Sequence, residues 1–301
     1  MKGEIKIEVS EEIQQNLQKN IEEVGRLNFN SQLFSDKLAI LGLLIIVSII
    51  ILGVLAPYLA PHDPIEVDLA NRLQAPNQEF IFGTDHLGRC LLSQVLFGIR
   101  TSLAIPFFVL LASILISILL GTIAGYLGGK IDELVMGVIN ILLALPSLVL
   151  ALAIAGLLGP SLLNLMIALV ATYWVNYARI IRGLVLSIKQ NEYILAAKAC
   201  GASELRIIVK HILPNIISHI IVLATLDMGY IIISVSSLSF LGLGAQPPTP
   251  EWGVMLNTAR SYFQSAPWLM FFPGMAILLV VLGFNLLGDG LRDIFDPNES
   301  V

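Results

Sequence analysis

Polar and apolar positions along this chain segregate into long blocks. The first block free of charge runs from Leu38 to Ala60, 23 residues, enough to cross a hydrocarbon core of about 30 Å at about 1.5 Å per residue. A second, Thr101 to Gly129, is closed by Lys130, Asp132 and Glu133. A third, Leu134 to Ala178, holds 45 uncharged residues; as one helix it would be about 68 Å long, twice what a bilayer needs, so it must fold back. The Leu158-Gly159-Pro160 break is expected to divide it into spans three and four, because proline cannot continue a helix interior. Span five is expected from Pro214 to about Leu238, interrupted only by Asp227, and span six from about Pro267 to Gly288. The pattern therefore predicts an all-α polytopic membrane protein with six transmembrane helices.

Composition agrees with the pattern. Of 301 residues 56% are hydrophobic and 13% charged, about half the charge of ordinary soluble domains, and the net charge of -5 offers no electrostatic footprint for nucleic acid. Where the cations sit is more informative. Thirteen Lys and Arg lie in the amino tail, the loop after span two, the long loop between spans four and five and the carboxyl tail, against four (Arg72, Arg89, Arg100 and Arg260) on the other side. The positive-inside rule then places both termini and the long loop in the cytoplasm. The expected organisation is a cytoplasmic amphipathic tail (1–37), a first span (38–60) with an extracytoplasmic segment (61–100), a five-helix core (101–288) and a cytoplasmic tail (289–301). In the amino tail Val9, Ile13, Leu17, Ile21 and Val24 recur at helical spacing behind Ser10 as N-cap, as in a helix lying on the membrane surface. The 37 mostly polar residues before the first run are too long for the charged region of a signal peptide, so that span is expected to be retained. Cys90 and Cys200 form no metal-ligand spacing.

Three segments stand out. Gln190 to Pro214 predicts a short helix Tyr193–Ala199, a break at Gly201, a second helix from about Glu204 and a stop at Pro214. Its small face of Ala196, Ala197 and Ala199 would let another protein approach closely, while an interfacial helix on lipid headgroups is the other reading. The second segment is Phe82-Gly83-Thr84-Asp85-His86-Leu87-Gly88-Arg89, followed by Gly98-Ile99-Arg100-Thr101-Ser102-Leu103. Asp85 and Arg89 are spaced to pair, a structural role; a metal site from Asp85, His86 and Cys90 is the sharper alternative, short of ligands. The third, Ser239 to Gly253, is rich in Gly and Pro and should form a rigid outer turn, with Trp252 and Trp268 as interfacial anchors.

The run Ala196-Ala197-Lys198-Ala199-Cys200-Gly201-Ala202 with His211-Ile212-Leu213-Pro214-Asn215 resembles the EAA loop of ABC-transporter permeases, with Leu195 where that signature has Glu. The second and third segments, with Gly288-Asp289-Gly290-Leu291-Arg292-Asp293 and Asp296-Pro297, resemble the dipeptide, oligopeptide and nickel branch of those permeases, and the matches cover Pro57 to Pro297. The resemblance implies a binding-protein-dependent importer in which two related permeases pair, a cytoplasmic ATPase docks on each, and an extracytoplasmic binding protein delivers the solute. Leu195, Ala196, Ala197, Gly201, Ala202 and Pro214 would then couple to the ATPases. The chain carries no nucleotide site or cofactor of its own: around Gly125 to Lys130, Ala124 replaces the first P-loop glycine and Ile131 the magnesium-binding hydroxyl, so ATP and Mg would belong to the partner subunits.

For the solute the residue to watch is Asp227, the only acid within a span, because ionisable groups in a bilayer are functional candidates by default. His219, eight positions earlier, and Tyr230, three later, share a broad face with it, and Tyr173, Asn176 and Tyr177 of span four could line the same path. The alternative is that Asp227 pairs with a polar group of the partner permease. The stretch Val222 to Tyr230, with its acid, is similar to nickel-type members of the branch, closest to the second nickel-type permease, which points to nickel or a nickel chelate; a dipeptide's amino terminus would suit the same carboxylate. No metal ligands can be named. A proton-coupled carrier using Asp227 would show an inverted repeat, which the sequence lacks. A receptor without transport would leave the inner loop unexplained.

Overall fold

The structure is a computed structural model and describes residues 36–295; the amphipathic reading of the amino tail and the Asp296-Pro297 motif fall outside them. The described residues are helical and contain no strand. Four helices are long and apolar enough to cross a membrane, or five if one bent pair counts as a span.

Helix α1 (Lys37–Leu59) is N-capped by Asp36, whose carboxylate accepts the Leu38 N–H at 2.9 Å. Its Pro57 has no N–H for the Gly53 carbonyl, four residues back. Arg100 from the next helix supplies the missing donor, its Nε 2.7 Å from that oxygen and its second amino group 3.0 Å from the Val54 carbonyl. That explains why a cation is kept in this apolar neighbourhood. Helix α2 (Leu91–Leu127) has 37 residues and is about 55 Å long; it begins ten residues before the expected span, inside the segment read as extracytoplasmic.

Gly128, at φ +69°, breaks the chain into α3 (Gly129–Leu143), and Pro146 separates α3 from α4 (Ser147–Leu158) with a bend of 87°. The expected straight third span is therefore two short helices at nearly a right angle. The Leu145-Pro146 step was hidden in an unbroken apolar run, where hydropathy is high but the proline ring cannot follow a helical turn. Helix α5 (Leu162–Ile188) follows the Gly159-Pro160 break, as expected. It is long enough to cross but more polar than the others, with Asn164, Asn176, Arg179 and Arg182.

Helix α6 (Glu192–Ala199) ends at Gly201, whose φ of +79° suits glycine. Helix α7 (Glu204–Ile207) then continues through a π turn (Ile208–Ile212) into α8 (Leu213–Phe240). The expected stop at Pro214 is thus corrected. Within the π turn Leu213 N–H reaches five residues back to Ile208 O, and this wider turn admits the proline ring at the start of α8 without breaking the rod. After an irregular stretch come α9 (Trp252–Ala259) and α10 (Trp268–Phe295). α10 runs through residues 289–295, which had been assigned to the carboxyl tail.

Close packing is set by glycines. A Cβ on Gly121 would lie 2.7 Å from the Ala178 carbonyl and one on Gly125 2.9 Å from the Arg182 carbonyl, so this four-residue repeat lets the α2 and α5 backbones touch. Asp132 of α3 holds Arg182 of α5 through both carboxylate oxygens beside that seam. α10 packs on α1 and α8, and α2 spans the core beside α5 and α8.

Candidate translocation face, outer lid and inner docking surface

One end of the bundle, expected from the distribution of cations to face outward, is closed by residues 60–90 and 241–267. Asp85, 5% exposed, is the centre of the first part. Its carboxylate accepts from the backbone N–H of Leu87 (2.8 Å) and Arg89 (3.0 Å), from Arg89 Nε (2.7 Å) and from Gln94 Nε2 (3.0 Å). Every strong acceptor position is thus used, and the structural reading of the Asp85–Arg89 spacing holds. The backbone there is a turn, tight enough that a Cβ on Gly88 would overlap the Asp68 carbonyl. Cys90 is buried and no group of three or more His, Cys, Asp and Glu among the described residues could hold a metal ion, which removes the metal alternative at Asp85, His86 and Cys90. His86 stacks on Tyr262; burial holds its pKa below the ordinary histidine value, helped by Arg89 and Arg72 and opposed by Asp85.

The second part of the lid rests on Glu251, fully buried, which caps α9 by accepting the N–H groups of Gly253 (2.9 Å) and Val254 (3.0 Å). Trp252 is likewise fully buried, donating its indole N–H to Val95 O at 3.1 Å and its backbone N–H to Ser102 Oγ at 3.0 Å. This corrects the reading of Trp252 as an interfacial anchor: the indole finds its polar partner inside the protein, on a backbone carbonyl 157 positions away. Nothing in local sequence announces that carbonyl. Trp268 is partly buried, its indole N–H 3.5 Å from Thr84 O.

Midway along α8 the polar residues gather. Tyr173 of α5 shares a hydrogen bond of 2.8 Å with Ser234 of α8, and its ring meets Tyr230 edge-on at 6.0 Å. Tyr177 is 2% exposed and faces the half-buried Asp227 carboxylate, yet its hydroxyl makes no hydrogen bond of good geometry. Asp227, Tyr177, Tyr173 and Tyr230 are therefore brought together. His219 is not: it is exposed and lines a separate groove of about 480 Å³ with Ile180, Leu184, Leu223 and Arg292. Asn176 is exposed on α5, about 100° round the helix from Tyr177. Sequence reasoning missed Ser234, a small polar residue unremarkable in an apolar helix, and Asn285, whose side chain of α10 lies against Gly229. An amide in a span was a usable signal.

At the other end α6 and α7 leave apolar side chains uncovered: Leu195 is 55% exposed and Leu205 71%. Ala196 and Gly201 are exposed, Ala197 and Ala202 partly buried against the core, and Ile194, Ile207 and Ile212 anchor the segment from below. Pro214 is exposed but belongs to the long rod.

Comparison with known proteins places this architecture. Residues 117–301 match the family described as binding-protein-dependent transport system inner membrane component, and residues 29–76 the N-terminal TM domain of oligopeptide transport permease C. The chain belongs to the first of these families, in its dipeptide, oligopeptide and nickel branch, and is an inner-membrane permease subunit. Among its relatives, the dipeptide transport system permease protein of Alkalihalophilus pseudofirmus is 48% identical over 266 residues, 88% of each chain. The probable D,D-dipeptide transport system permease protein of Escherichia coli K12 is 44% identical over 87% of this chain and 88% of the relative. The nickel transport system permease protein of the same organism is 40% identical over 86% and 93%.

Proposed function

We propose that this chain forms half of the translocation pathway of an ATP-driven, binding-protein-dependent importer of dipeptides or short oligopeptides. The observation that carries the reading is the identity of 48% across 88% of both chains with a dipeptide permease, above the 40% shared with a nickel permease. The relative order of these identities moves the reading from nickel, which the resemblance of the stretch Val222 to Tyr230 with its acid had suggested, to peptide. A second homologous permease completes the pathway, two cytoplasmic ATPases supply ATP and Mg chemistry, and an extracytoplasmic binding protein delivers the solute. Six spans with both termini inside are favoured by the length of α5 and by the thirteen cations on that side. The uncovered Leu195, Ala196, Gly201 and Leu205 support α6 and α7 as the ATPase-coupling surface, since a solvated loop would not keep them apolar.

Within the pathway, Asp227 with Tyr177 and Tyr230 suits the ammonium end of a peptide, with His219 in its own groove nearer the cytoplasm and Asn176 beside Tyr177 on another face of α5. A second reading, nickel or its chelate, is favoured by the same intramembrane carboxylate. Uptake in vesicles containing this chain, its partner permease, ATPases and binding protein separates them. ATP-dependent uptake of a labelled dipeptide, reduced in Asp227→Asn, is the expected result. Nickel uptake without dipeptide uptake would replace the peptide reading with the metal one, and uptake driven by a proton gradient without ATP would overturn both.

A further inference from the structure

Where α2 ends, three elements meet on one aromatic ring. Tyr126, in the last turn of α2, is 3% exposed. Lys198 of α6 places its ammonium 5.1 Å from the ring centroid, and Lys189, which caps α5, places its own 5.5 Å away. Lys189 also donates to the Tyr126 carbonyl at 2.5 Å. Both distances are in the range where a cation is drawn to an aromatic face, and the negative end of the α2 dipole adds to the attraction. The Tyr126 hydroxyl is buried without a hydrogen-bond partner, so it is the ring that the arrangement uses.

We propose that Tyr126 is a positioning residue through which the docking helix α6 moves α2, an inference that rests on α6 and α7 being the ATPase-coupling surface. α6 itself is anchored to the core by one buried residue, Ile194. Lys198 therefore provides a link from α6 to the inner end of a helix about 55 Å long. The other end of that helix carries Gln94, bound to Asp85, and the Val95 carbonyl, bound to the Trp252 indole. The Gly121 and Gly125 contacts keep α2 and α5 moving as one body. A displacement of α6 by an ATPase thus reaches the outer lid through a single rod, with the ring and the two cations near it as the joint.

The test uses the whole transporter in vesicles: ATP hydrolysis with and without dipeptide-loaded binding protein, and labelled dipeptide taken up per ATP. Tyr126→Phe keeps ring and dipole and should behave as the native protein. Tyr126→Leu and Lys198→Gln should each lower uptake per ATP on the order of fivefold, while the ATPases remain assembled with the permeases. Lys198 is exposed, so Lys198→Gln decides the matter even if Tyr126→Leu does not fold. Native coupling in Lys198→Gln, or equal loss in Phe and Leu variants, overturns the joint. Leu195→Asp is the control on the underlying reading. If it leaves ATPase assembly and stimulation intact, the docking surface and the joint both fall; if it abolishes assembly while Lys198→Gln couples normally, only the joint falls.

Discussion

The outer lid and the inner surface of this permease solve opposite problems. At the lid the buried carboxylates are met inside the chain, Asp85 by four donors and Glu251 by two backbone N–H groups, and the neutral Trp252 indole finds a carbonyl. At the α6–α7 end Tyr193, Leu195, Leu205 and Val209 are exposed between 44% and 71%, covered by nothing among the described residues. A self-satisfied polar network fixes one geometry, because leaving any member unpaired is costly. An exposed apolar surface has no such internal network to fix one geometry. The difference teaches that the Asp85–Glu251 end is held by the chain's own polar contacts, while the α6–α7 end leaves apolar side chains exposed.

The comparison breaks most severely at Asp85. Asp85→Ala leaves the Arg89 guanidinium, 10% exposed, without its counter-charge and should cost about 3–5 kcal/mol, read as a fall in Tm of the purified complex and rapid proteolysis within residues 61–90. Gln94→Leu removes one donor while the ion pair stays, and should cost about 1.5–3 kcal/mol in the same assay. A smaller effect on stability is expected at the opposite end. Leu205→Asp, 71% exposed, should change unfolding free energy by less than about 0.5 kcal/mol, yet the ATPases should no longer co-purify with the permease. A loss of several kcal/mol there would mean that the inner surface is as self-contained as the lid.

The gentlest test is pH. His86 is held neutral chiefly by burial, so the folded protein takes up that proton less readily than the unfolded chain. The stability it contributes is full above the ordinary histidine value and is lost as pH falls below it. The native protein should therefore lose more Tm between pH 7 and pH 5 than His86→Phe, which keeps the stack on Tyr262 but cannot protonate. Equal slopes would show that the ring does not sense the lid's burial.

Much of the helical layout was legible because its cause is local. A charge-free run, a Gly-Pro break and an N-cap act over a few residues, and α1, α5, α6 and α10 begin within a residue or two of where the pattern puts them. The errors have physical reasons. Pro146 bends an apolar run that hydropathy treats as continuous, Pro214 is passed by a π turn that no residue type signals, α2 begins early with most of its first ten residues buried, and α10 continues past Gly288 with Gly290 packed on Ala39 of α1. Of the candidate site residues, Asp227 was found by its charge and Tyr173 and Tyr177 were expected on the same path, while the hydrogen bond of Tyr173 to Ser234 required α5 to be laid against α8.

By itself the sequence determined that this is a helical membrane permease of the peptide and nickel branch, with an acid in one apolar helix and an alanine-rich loop on its cationic side; each is a property of composition or of residues close together in the chain. Only the tertiary structure decided that Arg100 answers the carbonyl freed by Pro57, that Trp252 belongs to the core, and that two lysines converge on Tyr126. Those contacts join residues 47 to 157 positions apart, and a pairing at that range is set by how helices pack rather than by any preference a single residue carries.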